Sequence, residues 1–254
     1  MILAILQARV SSSRLPQKVL KLILQKPMLN RQIERISQSK KINKLILATS
    51  EHPSDEPLIA LAQEMKIDCY RGSLDDVLTR YYYAALPYTP SHVVRLTGDC
   101  PVIDPQLIDE LIEFYMCGQF DYARLDDSFP DGLDVEILSY STLISAYHNA
   151  ILQSEREHVT LYINSHPDGY RIGVLKNKEN QGALRWTVDE QKDFELITKI
   201  YESLYHQNPH FSRQDVLAFV RANPSLQTYN TIYKRNEGLL KSLANDRTIN
   251  RVAT

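Results

Sequence analysis

Short runs of Ile, Leu and Val alternate along this chain with longer amphipathic stretches. The runs fall at residues 2–7, 44–49, 67–71, 92–97, 121–124, 134–138, 170–175 and 184–189. Each is too short to be a helix of its own, and apolar runs of this length separated by helical periodicity predict a mostly parallel sheet covered by helices. The helical stretches are predicted at 27–40, from Ser54 and Asp55 as N-cap through Lys66, from Asp75, and from Asp104 with Pro105 at its first turn to about Tyr115. Further helices are predicted at 141–151, 154–164, 189–205 and 212–222. The reading is an α/β fold with three layers. It forms one domain over 1–230, with an inserted helical portion at about 139–170 and a C-terminal tail at 231–254. That tail is expected to be helical and to dock on another subunit or stay partly mobile.

Composition narrows the classes. The chain has 254 residues and is 43% hydrophobic, enough for a core, and it lacks the glycine period or internal repeat of a fibrous or solenoid protein. Three cysteines without a CxxC pair make neither a disulfide framework nor a thiolate zinc site, so a reducing cytoplasm is the expected setting. Neither a signal peptide nor a run of eighteen apolar residues is found, and no membrane insertion is expected. The net charge is only -2, but residues 1–50 hold ten Lys and Arg against one acid, a local +9 that leaves -11 for the rest. An anion-binding N-terminal region facing an acidic remainder follows from that asymmetry. The basic segment has no interleaved aromatic motif, so a nucleic-acid partner is not expected.

Ligands of such sheets bind beyond the carboxyl ends of the strands. Three polar clusters fall there: Arg9 to Lys18, Gly98 to Pro101, and Asp189 to Asp193. Arg9, Arg14 and Lys18, with Ser11 to Ser13, offer guanidinium forks, an ammonium and hydroxyls to a polyphosphate, although neither a P-loop nor a GxGxxG turn is present. Asp99 reads as a turn residue or a metal ligand, and Asp189 as an N-cap or a metal ligand. Two strand-end carboxylates facing a cationic loop suit Mg²⁺ with a triphosphate. Glu155, Arg156, Glu157 and His158 lack the spacing of a zinc helix.

The stretch AILQARVSSSRLPQKVL resembles the opening signature of the nucleotidyltransferases that make CMP-activated sugar acids, most closely their SpsF-type branch. RGSLDDVLTRYY, VVRLTGDCPVIDP, DGLDVEIL, EREHVTLYI and LRWTVDEQKDFELI resemble the same branch, in order, over residues 2–200. The resemblance implies a Rossmann-like nucleotide-diphospho-sugar transferase fold, CTP as donor, Mg²⁺ as cofactor, a sugar or sugar-acid acceptor, and a homodimer. It implies that Arg9, Arg14 and Lys18 hold the triphosphate, alongside Ala8, Ser11 and Thr97 in the nucleotide pocket, and that Asp99 and Asp189 hold the metal. The chain departs from the family at Ser12 and Gln17, where relatives commonly have glycine, and at Ser50, where sialic-acid-type relatives have aspartate. For the acceptor pocket it implies Glu136, Arg156 and His158. Arg156 is expected to grip an acceptor carboxylate, and His158 is the nominee for general base. Two alternatives compete: a metal-dependent glycosyltransferase using Asp75 and Asp76, and a catalytically silent nucleotide-binding protein.

Overall fold

The computed structural model describes residues 1–233 and 235–249. Its strands are β1 (Ile2–Gln7), β2 (Leu22–Ile23), β3 (Lys26–Pro27), β4 (Lys44–Ser50), β5 (Asp68–Gly72), β6 (His92–Thr97), β7 (Tyr122–Leu125), β8 (Glu136–Ser139) and β9 (Ile172–Leu175). Its α-helices are α1 (Met28–Ile36), α2 (Glu56–Glu64), α3 (Val77–Ala85), α4 (Pro105–Gly118), α5 (Tyr140–Asn149), α6 (Gln153–Glu157), α7 (Leu161–Ser165), α8 (Gln191–Leu204), α9 (Arg213–Ala222), α10 (Pro224–Gln227) and α11 (Glu237–Ala244). Among the described residues no helix is long and apolar enough to cross a membrane.

Seven strands form one sheet in the order β5-β4-β1-β6-β8-β7-β9, parallel except that β8 runs against both its neighbours. Alternation along each strand divides the core into two layers. Ala4 and Leu6 of β1, Leu45 and Leu47 of β4, and Val94 and Leu96 of β6 face α1, α2, α4, α8 and α9. Leu3, Ile5, Ile46, Ala48 and Val93 face α3, α5 and α7 on the other side. β1 lies between β4 and β6, so the chain reverses direction of addition there and opens a crevice beyond the carboxyl ends of β1 and β6.

Boundaries shift where caps intervene. Asp104 accepts from the backbone N–H of Gln106 and Leu107 and starts α4, as the Asp-Pro pair predicts. Asp55 stands at the N-cap position of α2, as predicted, but its side chain makes no capping bond there. His52 caps the turn before it, and Asp55 is fully buried, accepting from Val10 N at 2.7 Å, Ser50 N at 3.2 Å and Thr49 Oγ1 at 3.1 Å. The predicted helix 154–164 is two short ones, broken at Val159, which is buried with φ of 39°.

The largest correction concerns 184–189, which is not a strand. Its backbone donors go to two loops instead of a ladder: Trp186 N and Thr187 N to Asp131 O, and Val188 N to Asp99 O at 2.8 Å. Gly132, with φ of 102°, permits this approach, since a Cβ there would stand 2.2 Å from Thr187 N. The tail carries the expected helix. Residues 237–244 are helical, but the segment folds back on its own chain, and residues 234 and 250–254 of the predicted tail lie outside the described residues.

Candidate active site

The crevice is a cavity of about 880 Å³ lined by the loop after β1, the turn after β6, the 185–189 segment, the start of α3, the α6–α7 junction and the C-terminal segment. Ala8, Arg9, Ser11, Arg14, Lys18, Thr97, Asp99, Glu136, His158 and Asp189 all line it, so ten of the eleven residues expected at a site share one space.

Geometry around Lys18 organises the site. Its Nζ donates to Asp189 Oδ1 at 2.9 Å and Val188 O at 2.7 Å, and lies 3.6 Å from Asp99 Oδ2. Burial works against this ammonium, but the Asp99 and Asp189 carboxylates outweigh it and raise its pKa above the usual value. Burial likewise pushes Asp189 up, whereas Lys18, then Arg14 and Arg185, hold it below the usual carboxylate range. Arg14 Nη2 meets the same Asp189 Oδ1 at 2.9 Å.

Asp189 is not the cap of α8. Glu190 occupies that position, in a reciprocal box with Asp193, which leaves the Asp189 carboxylate turned to the cavity. Asp193 is fully buried and accepts from Asp189 N and Glu190 N at 3.0 Å each, while Arg185 bridges Asp193, Asp131 and Asp189. Asp131 is pushed up to about 7 by burial and by Asp134, against the pull of Arg185 and Arg235.

Asp99 and Asp189 face one ammonium in a cavity rimmed by arginines. Two carboxylates of this kind fit a hard divalent cation whose remaining positions are filled by phosphate oxygens and water. Among the described residues no group of three or more His, Cys, Asp or Glu is suited to a metal, so a cation here would depend on ligand oxygens.

The loop after β1 is held from below. Asp55 fixes Val10 N, Gly98 lets the turn after β6 close on β1 with its N–H on Gln7 O at 2.8 Å, and Gln17 takes the left-handed conformation at φ of 56°. A backbone conformation that glycine adopts at less cost is therefore held here with a side chain on it. Arg9 is exposed and forms no ion pair among the described residues.

Sequence reading missed Arg80, which enters the cavity from α3. It is 2% exposed, donates to Ser73 O at 3.1 Å, and leaves its buried Nε without a partner among the described residues. Burial, joined by the neighbouring Arg9, lowers its pKa. A signal existed, because Arg80 interrupts the apolar stripe Val77, Tyr81, Ala84, Ala85 at helical spacing.

The acceptor candidates divide. Glu136 lines the cavity, with its carboxylate taken by Arg95, Tyr122 Oη and Thr160 Oγ1. Burial pushes it up, but Arg95 prevails and its pKa stands below the usual value. His158 lines the cavity with Nε2 3.0 Å from Ser242 Oγ, and burial lowers its pKa. Arg156 is the correction. It does not line the cavity, and its fork is spent on Asp76, with Nε 3.0 Å from both carboxylate oxygens and Nη2 at 2.8 Å from Oδ2. Asp76 in turn caps α3 through Thr79 N, so its carboxylate is committed to structure, whereas Asp75 lines the cavity.

A family profile described as Cytidylyltransferase matches residues 3–217. The spore coat polysaccharide biosynthesis protein SpsF of Bacillus subtilis is 33% identical over 234 residues, covering 89% of this chain and 97% of that one. A cytidylyltransferase structure from Leptospira borgpetersenii superposes with a TM-score of 0.85 at 28% identity, covering 92% of this chain and 99% of the other. A structure of CMP:2-keto-3-deoxy-manno-octonic acid synthetase complexed with CTP shares the fold at a TM-score of 0.62 and 15% identity, covering 79% of this chain and 98% of the other.

Proposed function

Because the chain belongs to the cytidylyltransferase family, we propose that it transfers CMP from CTP to a hydroxyl of a sugar or sugar-acid acceptor, releasing pyrophosphate, in the synthesis of a surface polysaccharide or glycan precursor. The observation that carries this reading is the Lys18 ammonium held between Asp99 and Asp189, with Arg14 on the same carboxylate, beyond the ends of β1 and β6.

In this reaction the acceptor oxygen bonds to the α-phosphorus, the bond to the bridging oxygen breaks, and pyrophosphate leaves with that electron pair. Negative charge builds on phosphoryl oxygens, so in-line positioning and fixed cations supply the catalysis. Arg9, Arg14 and Lys18 grip the triphosphate, Arg80 adds a desolvated cation, and Ala8, Ser11 and Thr97 line the nucleotide. Asp99 and Asp189 would hold Mg²⁺, which when bound offsets charge on the phosphates. Arg185 and Asp193 keep Asp189 facing inward. His158, kept neutral by burial, takes the hydroxyl proton, and with Glu136 it forms the acceptor wall.

The test is pyrophosphate release from each of four nucleoside triphosphates with Mg²⁺ over a panel of sugars and sugar acids that includes 3-deoxy-manno-octulosonate. Release with CTP and at least one acceptor is expected. CTP binding without release across the panel would leave a nucleotide-binding protein, and sugar transfer from a nucleotide sugar would leave a glycosyltransferase.

A further inference from the structure

The segment 235–249 leads from the cavity wall to α6 and is tied to the rest of the chain by hydrogen bonds and ion pairs. At one end Arg235 donates to Phe129 O at 3.1 Å and to Asp134 Oδ1 at 2.9 Å. Next, Glu237 Oε2 lies 3.6 Å from Arg14 Nη1, and residues 235–239 line the cavity. Ser242 reaches Glu157 at 2.8 Å and His158 at 3.0 Å. The far end is better tied: Ser154 N and Oγ donate to Asp246 at 3.0 and 2.6 Å, Gln153 N to Arg247 O at 2.9 Å, and Ile249 N to Ile151 O at 2.7 Å. Within this segment α11 buries no residue, and Leu240 and Leu243 stay exposed. A segment held without buried apolar area belongs to the least stable part of a fold.

We propose that residues 235–249 form a strap that the triphosphate opens, because Glu237 rests on the guanidinium of Arg14 that the incoming phosphates require. This rests on the cytidylyltransferase reading of the same cavity. A carboxylate on a phosphate-binding arginine competes with the ligand directly, and the negative charge of a triphosphate beside Glu237 repels it once bound. The pair is weak enough to yield, since Glu237 is 35% and Arg14 31% exposed, whereas the ties at 246–249 stand away from Arg14 and act as the pivot. Opening swings residues 236–239 off the cavity and releases His158 of the acceptor wall, and its neighbour Glu157, from Ser242.

Amide hydrogen exchange on the full chain tests this, with inorganic triphosphate, CTP and CMP as separate probes. Triphosphate and CTP are expected to speed exchange over 235–245, and CMP to leave it unchanged. Glu237→Gln is expected to speed the same amides without ligand and to lower the Kd for inorganic triphosphate by about two- to fivefold, the span of one exposed ion pair. Exchange that is unchanged or slowed by triphosphate overturns the strap, as does an unchanged Kd in Glu237→Gln. Triphosphate opening the strap while CTP fails to bind would sink the cytidylyltransferase reading and leave the strap standing. CTP turnover with no opening would do the reverse.

Discussion

Replacing Arg156 by Ala should cost stability and leave acceptor recognition intact. The side chain is 7% exposed and ties α6 to the first turn of α3 through the bidentate contact with Asp76, with Nη1 on Tyr147 O at 2.8 Å and Nη2 on Thr79 Oγ1. Removing one partner of a buried pair costs about 3–5 kcal/mol, and Asp76 is 31% exposed, so water takes up part of the loss and the expected value is near ~3 kcal/mol. Arg156→Lys keeps the charge but loses the fork, for a cost of about 1.5 kcal/mol. Urea unfolding of Arg156→Ala, Asp76→Asn and the double variant gives the coupling, expected between about 1 and 3 kcal/mol. Because Asp76 caps the helix that carries Arg80 into the cavity, CTP affinity should fall modestly as α3 loosens. A loss below ~1 kcal/mol together with a raised acceptor KM and unchanged CTP affinity would refute this reasoning and return Arg156 to the acceptor pocket.

Asp99→Asn and Asp189→Asn should each lower kcat/KM by several kcal/mol equivalent, about 10²-fold or more, and raise the Mg²⁺ needed for half-maximal rate; near-wild-type turnover at low Mg²⁺ would remove them from metal binding. Burial holds the folded pKa of His158 below its ordinary value of 6.5, so its neutral form contributes stability above that pH that is lost as pH falls through the folded value. An acid limb in kcat with an apparent pKa under 6.5, absent in His158→Gln, is the expected signature, and its persistence in the variant would exclude His158 as base. Gln17→Gly should stabilise the protein by about 0.5–1 kcal/mol, the cost of a left-handed side chain less the added freedom of glycine in the unfolded chain, and thermal unfolding reads the sign.

Much of this fold was legible because period and caps are local. HVVRLT at 92–97 became β6 residue for residue, and Asp104-Pro105 opened α4 where the pair demanded. LRWTVD misled for the opposite reason. An apolar, β-branched run looks the same whether it joins a ladder or threads between loops, and here the choice was made by Gly132 and the carbonyls of Asp131 and Asp99, more than fifty residues upstream. The cationic loop could be read because Arg9, Arg14 and Lys18 share one loop. Arg156 could not, since its partner Asp76 is eighty residues away and no spacing rule links them. Glu237 and Arg235 carried no signal at all, lying in a tail of weak pattern whose placement depends on contacts with 127–134 and 151–158.

The charge asymmetry along the chain is met in part inside the cavity, while Lys41 and Lys44 pair with Glu113 and Asp68 elsewhere. Of the N-terminal excess of cations, Arg14 and Lys18 are met by Asp99, Asp189, Glu190 and Glu237, all from the acidic remainder. On the proposed function, ligand binding is an exchange of partners. Phosphates must take Arg14 and Lys18 from carboxylates, and those carboxylates must then find another cation or bear the cost of facing one another in a desolvated space. A divalent cation held by Asp99 and Asp189 would answer that need, whereas a bare triphosphate would not. Arg9 and Arg80 form no ion pair among the described residues, and the exposed Arg9 can engage an anion first, whereas Arg80 is buried. Initial capture and final positioning thus fall to different cations of one site, a division that the even scatter of Lys and Arg through residues 1–50 conceals.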